Sequence, residues 1–201
     1  MKTVNCEQYS DIWWSTRLGC PSASNAKKLV TSTGLPSKQV KDYAVNLANA
    51  LYAGKDLESI EPTEWMARGT ELESEARTFY EMVGDVDVDE VGMYTDNDGT
   101  IIASPDGVVG DGLLEIKCLK PTNHTKAVLG AKIPSDYIPQ LQMQLFVSGK
   151  DWVDLLFYCP GLPSRVFRAE PDQKFFEALA AQIIVCIEER DSILNKLRKM
   201  I

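Results

Sequence analysis

Two extended runs meeting at a glycine turn constrain this chain most. Ile101 to Val109 and Leu113 to Leu119 are rich in apolar and branched residues, and Gly110-Asp111-Gly112 separates them. Short apolar runs bounded by such a turn read as two strands of one hairpin. A lone hairpin is marginal in water, so this one must belong to a larger sheet with a covered face. The flanking sequence supplies the rest. Val86, Val88 and Val91 to Tyr94 predict a preceding strand, with Asp96-Asn97-Asp98-Gly99 as the turn that follows it. Trp152 to Cys159 and Arg165 to Ala169 predict two later strands around Pro160-Gly161-Leu162-Pro163.

Helical spacing fills the intervals. Ser22 or Ser24 caps a short helix running to about Val30, and Pro36 to Tyr52 places Val40, Tyr43, Ala44, Leu47, Ala48 and Leu51 on one face. Pro62 opens another helix, capped by Glu61 or a neighbour and ended by Gly84. Its buried face is marked by Trp65, Leu72, Ala76, Phe79 and Val83. Helices near Asn123 to Leu129 and from Tyr137 to Ser148 follow the hairpin. A last helix runs from about Pro171 to Lys199, with Phe175, Phe176, Leu179, Ile183, Ile187 and Leu194 as core positions. Helices, a three-strand meander, helices, two strands and a helix predict an α/β fold, a central mixed β-sheet flanked by α-helices. No repeat or linker divides the chain. Residues 1–201 read as a single domain with a helical N-terminal part and a C-terminal helix.

Composition narrows the chemistry. The five cysteines form no CxxC pair, which argues against a zinc or iron–sulfur site and suits free thiols. His124 is the only histidine, so a metal would be held by carboxylates, which favours Mg²⁺, with Mn²⁺ as an alternative. No apolar run is long enough to span a bilayer, and MKTVNCEQYS is not of signal-peptide type, so a cytoplasmic protein is expected. The net charge of -8 opposes nucleic acid as a partner unless basic residues gather on one surface.

Ser104-Pro105-Asp106-Gly107 lies on one predicted strand and Glu115-Ile116-Lys117 on the next. Asp106 and Glu115 fall at nearby rungs, and Glu115 and Lys117, two apart, project from one face. Two carboxylates and an ammonium then converge. That set suits phosphodiester hydrolysis: the carboxylates hold a divalent metal, and the lysine orients the attacking water or deprotonates it. Asp106 and Glu-x-Lys separated by eight intervening residues are the signature of the PD-(D/E)XK nucleases. On the following helix, Gln142 falls inside the apolar stripe of Ile138, Leu141, Leu145 and Phe146, while Gln140 and Gln144 point away from it. A buried amide needs partners, and Gln142 is read as aimed at the active site, against the alternative of a core glutamine bonded to backbone. Glu73 and Glu75 flank the buried face of the Pro62 helix, and periodicity does not choose between them.

Five blocks in order resemble the lambda-exonuclease and YqaJ-type family of viral recombinase nucleases. They are Trp14-Ser15-Thr16-Arg17-Leu18-Gly19 with Ser22-Ala23-Ser24, Arg68 to Glu73 with Ala76-Arg77-Thr78, Ser104 to Gly107, Leu114 to Cys118, and Gln140-Leu141-Gln142. The resemblance implies a restriction-endonuclease-like PD-(D/E)XK core. It implies Asp106, Glu115, Glu73 and the Ile116 carbonyl at the metal, Lys117 at the water, and Gln142 in the site. It further implies that Arg17, helped by Ser24, contacts a DNA 5′-phosphate. The expected activity is Mg²⁺-dependent 5′→3′ digestion of one strand of linear duplex DNA, with preference for a 5′-phosphate, leaving 3′ overhangs for recombination by strand annealing. A homotrimeric ring on the duplex, a single-strand annealing partner, and a phage or prophage origin in a bacterial cell are implied too. The alternatives are another PD-(D/E)XK nuclease, RecB-like or endonucleolytic, and an inactive DNA-binding recombination module; the complete set of Asp106, Glu115, Lys117 and Gln142 argues against the last.

Overall fold

The computed structural model describes residues 1–57 and 63–200, apart from the side chain of Met66. The expected helix start at Glu61 and Pro62 lies outside the described residues. The chain begins with strand β1 (Lys2–Val4) and helix α1 (Asp11–Arg17). Ser10 caps α1, its side chain accepting from the Trp13 amide. The short helix expected after Ser22 is a 3₁₀ segment, Ala23–Lys28, and neither Ser22 nor Ser24 caps it through its side chain. Helix α2 (Val40–Ala53) buries Tyr43, Ala44, Leu47 and Ala48, as its spacing predicts.

Helix α3 (Glu64–Gly84) is turned relative to the predicted face. Val83 and Trp65 are exposed, whereas Ala76 and Tyr80 are buried and Leu72 and Glu73 half-buried. The inner stripe is therefore Glu73, Ala76 and Tyr80, three and four residues apart. It includes an acid that an apolar-only pattern discards.

The predicted strand from Ile101 to Val109 is two strands in two sheets. β2 (Met93–Thr95), shorter than expected, lies between β1 and β3 (Ile102–Ala103), both antiparallel to it. Pro105 lacks a ladder N–H, and around it the chain crosses to β4 (Gly107–Val109) in a second sheet of order β4-β5-β6-β7. There β5 (Gly112–Lys117) pairs antiparallel with β4 and parallel with β6 (Trp152–Phe157), and β7 (Arg165–Ala169) is antiparallel to β6. Gly110 turns the β4–β5 hairpin at φ 55°, which glycine adopts without strain. The expected central mixed sheet flanked by helices is present, with the three-stranded sheet as a separate piece.

Helices α4 (Pro121–Val128), α5 (Ile138–Ser148) and α6 (Gln173–Arg198) follow. On one face of β5 and β6, Leu113, Leu155 and Phe157 join Leu141, Leu145, Phe175, Leu179 and Ile183 in the main core. On the other, Leu114, Ile116 and Leu156 meet Ala76 and Tyr80 of α3. That second face also buries Asp154, bound by both nitrogens of Arg168 at 2.8 Å and by the Tyr80 hydroxyl at 2.7 Å. Asp154 is thereby a satisfied structural acid. Among the described residues no helix is long and apolar enough to cross a membrane.

Candidate active site

The β4–β5 register pairs Gly107 with Leu114. Just before it, the Asp106 amide donates to the Leu114 carbonyl at 3.0 Å, and Asp106 and Glu115 are close enough to interact electrostatically. An Asp106 carboxylate oxygen accepts from the Ile116 amide at 2.6 Å, fixing its orientation. Glu115 is 2% exposed and fully engaged. One oxygen accepts from the Lys117 ammonium and from Gln140 Nε2, the latter at 2.6 Å; the other accepts from Gln144 Nε2 at 2.5 Å. The two carboxylates and the lysine thus converge as the hairpin spacing predicts. Glu73 acts electrostatically on Asp106 and is itself acted on by Lys117 and Glu115, so α3 brings it within electrostatic reach of the pair. Glu75 instead accepts from the Tyr158 hydroxyl on the outer side of α3.

The glutamines correct the sequence reading. Gln142 is buried, but it does not face the carboxylates. Its Nε2 donates to the Glu170 carbonyl at 2.8 Å and its Oε1 accepts from the Asp172 amide at 3.0 Å, tying β7 to the start of α6. Gln140 and Gln144 reach Glu115 instead. The stripe argument presumes one dry face, and α5 has little else: Leu141, Gln142, Met143, Gln144, Leu145 and Val147 are all buried. In a helix enclosed on most sides, amides on any side must find partners, and the α5 side facing β5 carries the site.

Burial, then the charge of Glu115, pushes the Asp106 carboxyl well above its ordinary value, and Glu73 adds to this while Lys117 opposes it. Glu73 is also raised, mainly by burial. Burial works against the Lys117 ammonium, but Glu115 and Asp106 outweigh it and hold its pKa above normal. In the metal-free protein Lys117 is therefore a charged donor to Glu115. Crowded, desolvated carboxylates of this kind fit a divalent cation. Among the described residues no three acidic, histidine or cysteine side chains close around one point. An ion held by Asp106 and Glu115 would complete its shell with a backbone carbonyl and water, as Mg²⁺ commonly does.

These shifts set a stability expectation for the metal-free protein. An acid with a raised folded-state pKa binds its proton more tightly folded than unfolded. Stability then falls as pH rises from the ordinary aspartate value of 3.8 through the folded-state value. Asp106→Asn should melt higher than the wild type at neutral pH, by a few degrees, and the advantage should shrink as pH falls through that window. Melts across pH without metal check this; an unchanged or lower melting temperature at neutral pH contradicts it.

Arg17 is half-buried, neither a surface ion pair nor the exposed residue its position suggests. Its guanidinium lies 4.1 Å from the Trp13 ring centroid, and it donates to the Ser104 hydroxyl at 2.9 Å and the Ser24 hydroxyl at 3.5 Å. Ser104 is two residues from Asp106, so Arg17 and Ser24 stand beside the carboxylates. Both partners are neutral, and no carboxylate pairs with Arg17 among the described ion pairs. His124 is structural: buried, with Nε2 2.9 Å from the Pro163 carbonyl.

A family model, the YqaJ-like viral recombinase domain, matches residues 12–151. The chain belongs to the YqaJ-like viral recombinase family. The matched span of this YqaJ-like chain runs from α1 to the end of α5 and holds every site residue above. The structure is similar to that of an alkaline exonuclease, LHK-Exo, from Laribacter hongkongensis, with 29% identity and a TM-score of 0.85 over 95% of this chain and 97% of that one. The same enzyme in complex with dAMP matches at 28% identity, with a TM-score of 0.84 and the same coverage. A phage-related exonuclease from Haemophilus somnus 129PT shares the fold at 13% identity, with a TM-score of 0.72 over 89% of this chain and 96% of that one. No curated protein matches. The fold is the PD-(D/E)XK core expected from the hairpin.

Gln142 gives a clean contrast within this YqaJ-like site. Gln142→Ala removes both hydrogen bonds, each worth about 0.5–1.5 kcal/mol, and leaves a gap on a buried helix side. Denaturant unfolding should show that loss, while DNA turnover by the folded protein stays near wild type. A large loss of turnover with unchanged stability would restore Gln142 to the active site.

Proposed function

We propose that this protein is a metal-dependent 5′→3′ exonuclease. It degrades one strand of linear double-stranded DNA, prefers a 5′-phosphate, and leaves 3′ overhangs for recombination by strand annealing. The observation that carries this reading is the convergence of Asp106, Glu115 and Lys117 beside an arginine that pairs with no carboxylate among the described residues. The family match and the likeness to an alkaline exonuclease also seen with dAMP support it.

In this reading Asp106, Glu115 and the Ile116 carbonyl hold Mg²⁺, with Mn²⁺ also supporting activity, and Glu73 reaches the same shell, directly or through water. When bound, the metal supplies charge against the developing phosphorane and lowers the pKa of water. Gln140 and Gln144 lock Glu115, so its oxygens need no reorganisation as charge develops. The Lys117 ammonium donates to the attacking water and orients it. Arg17 and Ser24 take the 5′-phosphate: a guanidinium fork binds two terminal oxygens at once, a geometry lysine lacks. Anchoring that phosphate next to Ser104 places a scissile bond over Asp106 and sets the polarity. A homotrimeric ring belongs to this proposal, because three copies of a modest basic lining would enclose a duplex despite a net charge of -8 per chain. So does a single-strand annealing partner that receives the 3′ strand.

The test compares 5′-phosphorylated with 5′-hydroxyl duplex for wild type and Arg17→Ala. A charge-assisted contact of this kind is worth about 1.5–3 kcal/mol, so the variant should lose roughly tenfold to hundredfold on the phosphorylated duplex. The hydroxyl duplex should change little. Circular dichroism confirms folding, since Arg17 also packs on Trp13. Equal loss on both substrates, or no phosphate preference in the wild type, would make Arg17 a structural residue.

A further inference from the structure

The segment before α1 holds an aromatic ring open beside the acids. Tyr9 has φ 66°, in the left-handed region, a conformation that is costly for a bulky side chain. Both neighbours hold it there. Gln8 Nε2 donates to the Pro105 carbonyl at 3.0 Å and the Val91 carbonyl at 3.2 Å, fastening the segment to the residue before Asp106. Ser10 is committed to capping α1. The Tyr9 ring packs on Trp13 at 5.1 Å between centroids, and Trp13 carries the Arg17 guanidinium. Across the site, the Tyr9 hydroxyl hydrogen-bonds Thr70 of α3, and Glu73, Asp106 and Arg17 are its charged neighbours. The ring thus bridges α1 and α3 next to the carboxylates.

Even so, Tyr9 is 51% exposed, and Trp14, with its ring centroid 6.3 Å away, is 54% exposed. A ring fixed at both ends yet left half in water keeps one face open to a ligand. Its chemistry suits a flat partner with an apolar face, carried on an anion that Arg17 would take. That partner is a nucleobase, and base–aromatic stacking accepts any base because each presents a π-face.

We propose that Tyr9 is a positioning residue: its ring stacks on the base of the 5′-terminal nucleotide, with Trp14 as the adjoining wall. Stacking sets which phosphodiester lies over Asp106 and Glu115. The inference rests on the reading of Arg17 as the 5′-end anchor. Tyr9 touches the base and not the reacting atoms, so its removal should raise KM for initiation more than it lowers kcat.

The test uses two 5′-phosphorylated duplexes, one with an ordinary 5′-terminal nucleotide and one with an abasic tetrahydrofuran there, and separate labels on the two strands. Wild type should initiate on the base-bearing end about tenfold more efficiently. Tyr9→Phe should keep that preference. Tyr9→Gly removes the ring at a φ that glycine adopts freely, and should equalise the two substrates by slowing only the base-bearing one. A retained preference in Tyr9→Gly, equal slowing of both substrates, or no preference in the wild type overturns the proposal. Retained preference together with a changed oligomeric mass would assign the aromatic patch to contact between copies instead. The strand labels separate the premises: wild-type digestion from 3′ ends defeats the 5′-anchor reading itself, whereas 5′ digestion with unchanged discrimination in Tyr9→Gly defeats only the role of Tyr9.

Discussion

Asp106→Ala and Glu115→Ala are each expected to abolish hydrolysis of linear duplex DNA. The two carboxylates lie close together at the β4–β5 hairpin, and each carries more than its own charge. Asp106 is aligned by the Ile116 amide, so its free oxygen has one direction to point. Glu115 is the acceptor on which Lys117, Gln140 and Gln144 converge. In the proposed reading, removing Asp106 takes away one anchor of the cation. Removing Glu115 takes away the other and releases three donors from their fixed positions. Neither loss is repaired by a neighbour, because Glu73 alone does not reproduce two opposed oxygens. DNA binding should survive, and even tighten, since a negative charge beside phosphate is gone. Digestion time courses with gel-shift controls check both parts, and near-normal turnover by either variant would remove the residue from the reaction.

The second large effect belongs to Lys117. Lys117→Ala should lose several orders of magnitude in turnover while keeping its affinity for Mg²⁺ or Mn²⁺, because in the proposed reading the ammonium orients water and holds no metal. It is fastened to Glu115 and lies 5.8 Å from the Tyr137 ring centroid, so it cannot wander. In the metal-free protein Glu115 and Asp106 hold its pKa above normal. Single-turnover rates and calorimetric metal titration on the variant separate the two roles. A variant that fails to bind metal would make Lys117 a structural counter-ion only.

The hairpin was legible in sequence because its evidence is local. Glycines mark the turn, and a period of two puts Glu115 and Lys117 on one face. The core positions of α2 and α6 were legible for a similar reason, since each helix buries a single face. Two misreadings had tertiary causes. Ile101 to Val109 has the apolar content of one strand, yet Pro105 lets the chain leave one sheet and enter another, and the break is what brings Ser104 to Arg17. On α5 the stripe argument selected Gln142, and enclosure of the helix made Gln140 and Gln144 the site residues. On α3 the inner face includes an acid, so an apolar pattern rotated the predicted face away from Glu73. Only the family resemblance selected Glu73, and the electrostatic neighbours of Asp106 agree with it. The signal that could have found Gln140 and Gln144 was their spacing: four residues apart, they share one side of the helix.

The central claim is that Asp106, Glu115 and Lys117 form a metal-dependent site that works inward from DNA ends. One assay meets it directly: wild-type protein with a 5′-phosphorylated linear duplex, labelled separately on each strand, and with a supercoiled circle, each in Mg²⁺ and in EDTA. The account predicts loss of the 5′-ended label first, a surviving 3′-ended strand, an intact circle, and no reaction in EDTA. Digestion that persists in EDTA, or cutting of the circle at a rate comparable to the linear duplex, would contradict it.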